Sequence, residues 1–214
     1  MTEPTFLVLS TIAKPADQWL EFWAKRYTDY ETKNEADIYR ELIDKQDNLS
    51  SNDFVVMGKW KDNALGETRR NRWKENVAMV AYRGWIRAAA ELPKCPTTES
   101  AVKVFLQEWS EWKYRDSSSR SADKMKRFGL SRASTMLHFI SGGRYPIFDE
   151  RVRVAIERLS GKELGMTIEE YLNDVCPFVE NLSHLCGCRD VRKLDNALFA
   201  YGASPELGQL MKSA

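Results

Sequence analysis

The sequence predicts an all-α protein with room for one small β element. Three observations carry this. Apolar residues recur at three- and four-residue spacing along most of the chain. Alternating apolar and polar runs are short wherever they occur. The strongest breakers, Pro93 and the Gly142-Gly143…Pro146 cluster, stand at the ends of periodic segments rather than inside them. With 214 residues, 43% of them hydrophobic, the chain can bury a core as one large domain or as two smaller lobes.

A first helix begins near Pro15 and Asp17 and places Trp19, Phe22, Trp23 and Tyr27 on one face. A second carries Ile38, Leu42 and Ile43. The segment DFVVMGKW, from Asp53 to Trp60, is rich in β-formers but short, and suits either a strand or a buried helical turn. A long helix runs from about Glu67 to Leu92, with Trp73, Val77, Val80, Ala81, Trp85 and Ala88 inward, and stops at Pro93. Another spans about Thr98 to Lys113.

RDSSSRSADK then reads as a loop or lobe boundary. Beyond it, Ala133, Met136, Leu137 and Ile140 mark one amphipathic helix, and Val152, Ala155, Ile156 and Leu159 mark the next. Asp149 stands at the start of the second. Helices from Met166 to about Val179 and from Asp190 to about Tyr201 complete the series.

Charge is nearly balanced, 32 basic residues against 31 acidic, and so excludes no partner class. Its distribution is uneven. Between Lys113 and Arg132 there are seven basic residues (Lys113, Arg115, Arg120, Lys124, Lys126, Arg127, Arg132) and only Asp116 and Asp123 against them. A solvated, Ser-rich loop has the same composition, and charge alone does not choose. The first residues, MTEPTFLVLSTIAKPADQW, have too short an apolar run for a signal peptide or a membrane span, so a cytoplasmic protein with reduced thiols is expected.

The stretch GRYPIFDERVRVAI, with FGLSRASTMLHFISGG before it, resembles the helix-hairpin-helix DNA glycosylase superfamily, nearest to its oxoguanine glycosylase and endonuclease III-like branch. The likeness spans roughly Lys124 to Leu159. In that family a Gly-containing hairpin and a helix precede a Pro, one or two apolar residues and a catalytic Asp, which opens the next helix. Here Pro146, Ile147, Phe148 and Asp149 supply that order. The family's Gly-x-Gly hairpin is Arg127-Phe128-Gly129, keeping the second glycine only.

The resemblance implies a two-lobed fold, with residues 1–66 and 160–214 in one helical lobe and 67–159 in the other. It implies a monomer acting on double-stranded DNA with one nucleotide flipped out; no membrane partner, metal or cofactor is expected. Asp149 becomes the residue that stabilises positive charge on the sugar as the N-glycosidic bond breaks. Position alone would equally make it a helix cap. Gly129, Ser131 and Arg132, with Lys126, Arg127 and Arg144, would hold the phosphate backbone. Strand-cleaving members carry a Lys where this chain has Ser131, so base release without lyase activity is implied. The base pocket would draw on Lys59, Trp60 and Lys61, or on the Arg69, Arg70, Arg72, Trp73 cluster, although each Trp also suits a core position. A damaged base, or a bulky modified base of foreign DNA in a defence role, would fit the divergent hairpin. The alternative is a DNA-binding module of the same fold without catalysis.

Cys176, His184, Cys186 and Cys188 lie close in sequence, but their spacing matches neither the four-Cys cluster of some glycosylase relatives nor the common zinc patterns. His138 is read as a partly buried structural residue, and no Gly-rich phosphate loop is present.

Overall fold

In a computed structural model the chain is described over residues 15–28, 33–61, 84–115 and 125–204. The all-α expectation holds. The helices are α1 (Ala16–Thr28), α2 (Lys33–Asp44), α3 (Ser51–Lys61), α4 (84–91), α5 (Glu99–Glu111), α6 (Leu130–Ile140), α7 (Glu150–Ser160), α8 (Ile168–Glu170), α9 (Cys176–Cys186) and α10 (Val191–Ala203). A π-helical turn, Tyr171–Val175, joins α8 to α9, so the element read as ending near Val179 continues to Cys186. Of the long helix expected from Glu67, residues 84–91 are helical, and Arg69, Arg70, Arg72 and Trp73 lie outside the described residues.

DFVVMGKW belongs to helix α3. Its β-rich composition is overridden by a start signal and by packing. The Ser50 amide and hydroxyl donate to the Asp53 carboxylate at 2.7 and 2.6 Å, and the Asp53 amide points back to Ser50 Oγ at 3.4 Å, a capping box. Phe54, Met57 and Gly58, at i, i+3 and i+4, then turn one face into the core. The small β element lies instead on either side of the segment read as a loop, whose residues 116–124 lie outside the described residues. Strands β1 (Lys113–Arg115) and β2 (Met125–Arg127) form an antiparallel ribbon pairing Lys113 with Arg127, Tyr114 with Lys126 and Arg115 with Met125.

The chain divides into two compact units, Met1–Glu31 with Pro146–Ala214, and Thr32–Tyr145. The boundaries therefore fall at 31/32 and 145/146, not at 66/67 and 159/160. Helix α7 accounts for one shift, because it packs on α10 of the first unit. There the chains approach so closely that a Cβ on Gly202 would stand 1.9 Å from the Arg151 carbonyl oxygen, which only glycine permits.

In the first unit, α1 lies on α10 through Trp19 and Trp23, whose rings meet Tyr201 edge-on at 5.6 and 5.1 Å. Phe22, expected on that buried face, is 40% exposed. In the second unit, the core around α6 gathers Phe54, Met57, Trp85, Leu106, Phe128, Met136, Leu137 and Phe139. Burying a side chain of this size contributes about 1.5–3 kcal/mol, so the two hydrophobic faces hold each unit together.

Candidate functional site

The approach to Asp149 is built from its sequence upward. Pro146, Ile147 and Phe148 are all buried, which fixes the chain immediately before the acid. The Tyr171 hydroxyl donates to the Pro146 carbonyl at 2.8 Å, and the Tyr171 ring lies 5.9 Å from that of Phe148. Tyr171 is itself fully buried at the first position of the π-helical turn. A turn of that type places a residue where a regular helix would not, and such turns recur at functional sites.

Asp149 is half-buried and extended, at φ −122° and ψ 178°. Its Oδ1 accepts from the Arg151 and Val152 amides, both at 3.1 Å, and its carbonyl accepts from the Arg153 amide at 2.8 Å. The residue is therefore a helix N-cap, as its position in sequence suggested. The helix dipole at this end favours a negative charge.

Cations line the same helix. Arg151 lies over the Phe199 ring at 4.3 Å. Arg153 bonds Glu150, Glu157 and the Leu164 carbonyl, and its guanidinium is held more firmly protonated, chiefly by the bond to Glu150. The same bond keeps the Glu150 carboxyl below its ordinary range, against a smaller push upward from burial and from the Asp149 charge.

The hairpin residues belong to the second unit. No tight turn between helices forms at Arg127-Phe128-Gly129. Instead the ribbon delivers the chain to Gly129, whose amide donates to the Ser110 carbonyl at 3.0 Å, while the Phe128 amide donates to the Trp112 carbonyl at 2.9 Å. Phe128 is buried against Trp85, ring centroids 5.1 Å apart. Gly129 caps α6 without a side chain, at φ 86° and ψ 155°, a region open almost only to glycine. The place of the motif's first glycine is thus held by the exposed Arg127, the middle residue Phe128 is a buried aromatic anchor, and the retained Gly129 is needed by the backbone.

Ser131 and Arg132 occupy the first turn of α6, half-buried. The Arg132 guanidinium donates to the Phe128 carbonyl at 3.2 Å. Arg127 and Arg144 are exposed, and Lys126 lies on strand β2 opposite Tyr114. Lys124 lies outside the described residues.

The suggested base pocket is corrected at its centre. Trp60 is buried, 9% exposed, and its ring meets Phe139 at 5.3 Å and Tyr39 at 5.8 Å, so it is a core residue of the second unit. Lys59 and Lys61 flank it, half-buried on α3.

Sequence reasoning missed two clusters. Tyr171 falls inside the helix expected from Met166 to about Val179, and nothing in the sequence singles it out. His138 is fully buried rather than partly so, with Nδ1 2.7 Å from the Tyr145 carbonyl and Nε2 2.8 Å from the Tyr39 hydroxyl. Since a carbonyl only accepts, Nδ1 carries the hydrogen of that bond. The cluster ties the end of α6 to the residue preceding Pro146. A lone His among apolar neighbours was its only sequence signal.

Among the described residues no group of three or more His, Cys, Asp and Glu is placed to hold a metal ion. Burial pushes the Cys176 thiol up to about 12, against an opposing hydrogen bond with Tyr171, and the Cys186 thiol up to about 11. Among the described residues no helix is long and apolar enough to cross a membrane. Comparisons of the chain with protein-family models, with curated proteins and with solved structures find no match.

Proposed function

We propose that the protein is a monofunctional DNA glycosylase, with Asp149 as its essential carboxylate. The observation that carries this reading is the setting of that residue. A half-buried acid stands at a helix start, held through one oxygen by two amides, on a segment anchored by Pro146, Phe148 and Tyr171. A carboxylate fixed in this way needs little reorganisation when positive charge develops on a deoxyribose beside it. It also orients or deprotonates the water that attacks the sugar.

The absence of an amine supports the monofunctional part. Position 131, which in strand-cleaving relatives of the resembled family carries the Schiff-base lysine, is a serine whose hydroxyl cannot form that adduct. The base would be a damaged one, or a modified base of foreign DNA in a defence role. The site of action is the cytoplasm, and the protein acts as a monomer.

The test incubates the protein with duplexes carrying uracil, oxidised, alkylated or glucosylated bases, then cleaves abasic sites with alkali. Base release that disappears in Asp149→Asn, with no strand cleavage before alkali and no borohydride-trapped adduct, is the expected result. Strand cleavage or trapping would overturn the monofunctional assignment.

One observation favours a second reading, a DNA-binding module without catalysis. The two capping bonds by themselves account for an acid at position 149. Salt-sensitive duplex binding with no release from any substrate would select it.

A further inference from the structure

We propose that the root of the β ribbon, Lys113 with Arg127, is a contact surface for the phosphate backbone of duplex DNA. This inference rests on the reading that DNA is the partner, but not on catalysis.

The ribbon's register and hydrogen bonds place the two cations together. Lys113 and Arg127 are directly opposed across the antiparallel pair. The Phe128 amide bonds the Trp112 carbonyl one step further along. Hydrogen-bonded and non-bonded pairs alternate along such a ladder, so Lys113 and Arg127 form a non-bonded pair, the type with the closer side chains. Their Cβ atoms are then about 4.5–5.5 Å apart on one face. Both residues are exposed, and among the described residues neither forms an ion pair.

Like charges opposed in this way destabilise a two-stranded ribbon, which is marginal to begin with. Folding therefore gives no reason for the pair, whereas a polyanion does. Duplex DNA presents about one negative charge per 1.7 Å of helix axis, enough to neutralise two adjacent cations at once. A ribbon of this width is also one of the two elements that a DNA groove admits. The ribbon leads directly through Phe128 to Gly129, the N-cap of α6, so a cation at its root lies on the track that the resemblance gives to the backbone contact.

The experiment measures binding of the full chain to a labelled, unmodified 20-bp duplex by fluorescence anisotropy between 50 and 200 mM salt. Each lost phosphate contact lowers the magnitude of the log–log salt slope by about 0.9. The double variant Lys113→Gln/Arg127→Gln is expected to reduce it by about 1.8. Over that salt range each contact accounts for about a 3.5-fold weakening, so roughly twelvefold of the wild-type salt effect should vanish. Relief of the like-charge pair should leave the melting temperature unchanged or higher. The control Arg40→Gln/Lys162→Gln removes two exposed cations that pair with Asp37 and Asp174, at the same cost in net charge, and should leave the slope unaltered.

An unchanged slope in the ribbon variant would overturn the inference and leave the cations as guards against edge-to-edge pairing. An equal fall in the control would overturn it as a mere net-charge effect. Absence of salt-sensitive duplex binding in the wild type would sink both this inference and the DNA reading. A reduced slope together with no base release from any substrate would uphold the ribbon contact and reject the glycosylase.

Discussion

The cap that Asp149 forms and the catalytic role proposed for it respond differently to substitution. Asp149→Ala removes the acceptor of both 3.1 Å bonds from Arg151 and Val152. The loss of such a cap costs about 1 kcal/mol, within about 0.5–2, and for a chain of this length each kcal/mol lowers the melting temperature by about 2–4 °C. Asp149→Asn keeps an acceptor in the same place, and at the helix end it gives up the charge–dipole contribution, about 0.5 kcal/mol. Stability should therefore rank wild type, Asn, Ala, over a span of a few degrees. Base release should not follow that order. A fixed charge lost from beside the sugar costs on the order of 10²–10³ in rate, and Asn and Ala lack it equally. Single-turnover rates on the substrate found by the panel, measured well below every melting temperature, give the comparison. If Asn releases base within about twofold of wild type while Ala falls only as its folded fraction falls, Asp149 is a cap and nothing more, and the catalytic assignment is wrong.

Three further outcomes are expected. Tyr171→Phe leaves the buried Pro146 carbonyl without its donor, at about 1–3 kcal/mol; thermal melts should show the loss, and single-turnover kinetics should show a lower rate at saturating substrate with apparent affinity little changed. Gly129→Ala meets no atom within 4 Å, so its cost, about 1–3 kcal/mol in a denaturant titration, comes from the backbone conformation alone. Burial raises the Asp53 carboxyl, but bonds from Ser50 and Lys45 outweigh it and hold the group below its ordinary 3.8. A depressed folded value means the stabilisation is complete above the unfolded value and is lost as pH falls through the folded one. Asp53→Asn should thus flatten the acid arm of a melting-temperature profile below about pH 4 and leave its neutral plateau displaced by a constant amount.

Much of the fold was legible because burial and period agree. Ala133, Met136, Leu137 and Ile140, and again Val152, Ala155, Ile156 and Leu159, are the buried faces of α6 and α7. The helix over DFVVMGKW, which the sequence reading leaves open between strand and helical turn, has its start signal in Ser50 and Asp53, a Ser three residues before an acid. Composition pointed the other way because Phe54, Val55 and Val56 favour strands only until one face finds a core. Trp60 shows the opposite limit. An aromatic between two lysines suits a stacking pocket or a core, and only the rings of Tyr39 and Phe139 decide for the core.

The setting of Asp149 was half legible. Its cap follows from residue type and from the apolar spacing that starts two to three residues later, both local. Its anchor does not, because Tyr171 reaches Pro146 across 25 residues and by way of a π-helical turn. A π turn shifts every later side chain of its helix round the axis relative to a regular one. The face that periodicity assigns before Tyr171 is therefore not the face that follows Val175, and no three-or-four-residue rule carries through it. Nor does residue type help, since a tyrosine in an amphipathic helix is as well placed at a core margin as over a carbonyl. What fixes the acid is a long-range bond made possible by a local irregularity. Disturbing that irregularity while keeping Tyr171, for instance by deleting one residue within Tyr171–Val175, should slow base release as Tyr171→Phe does.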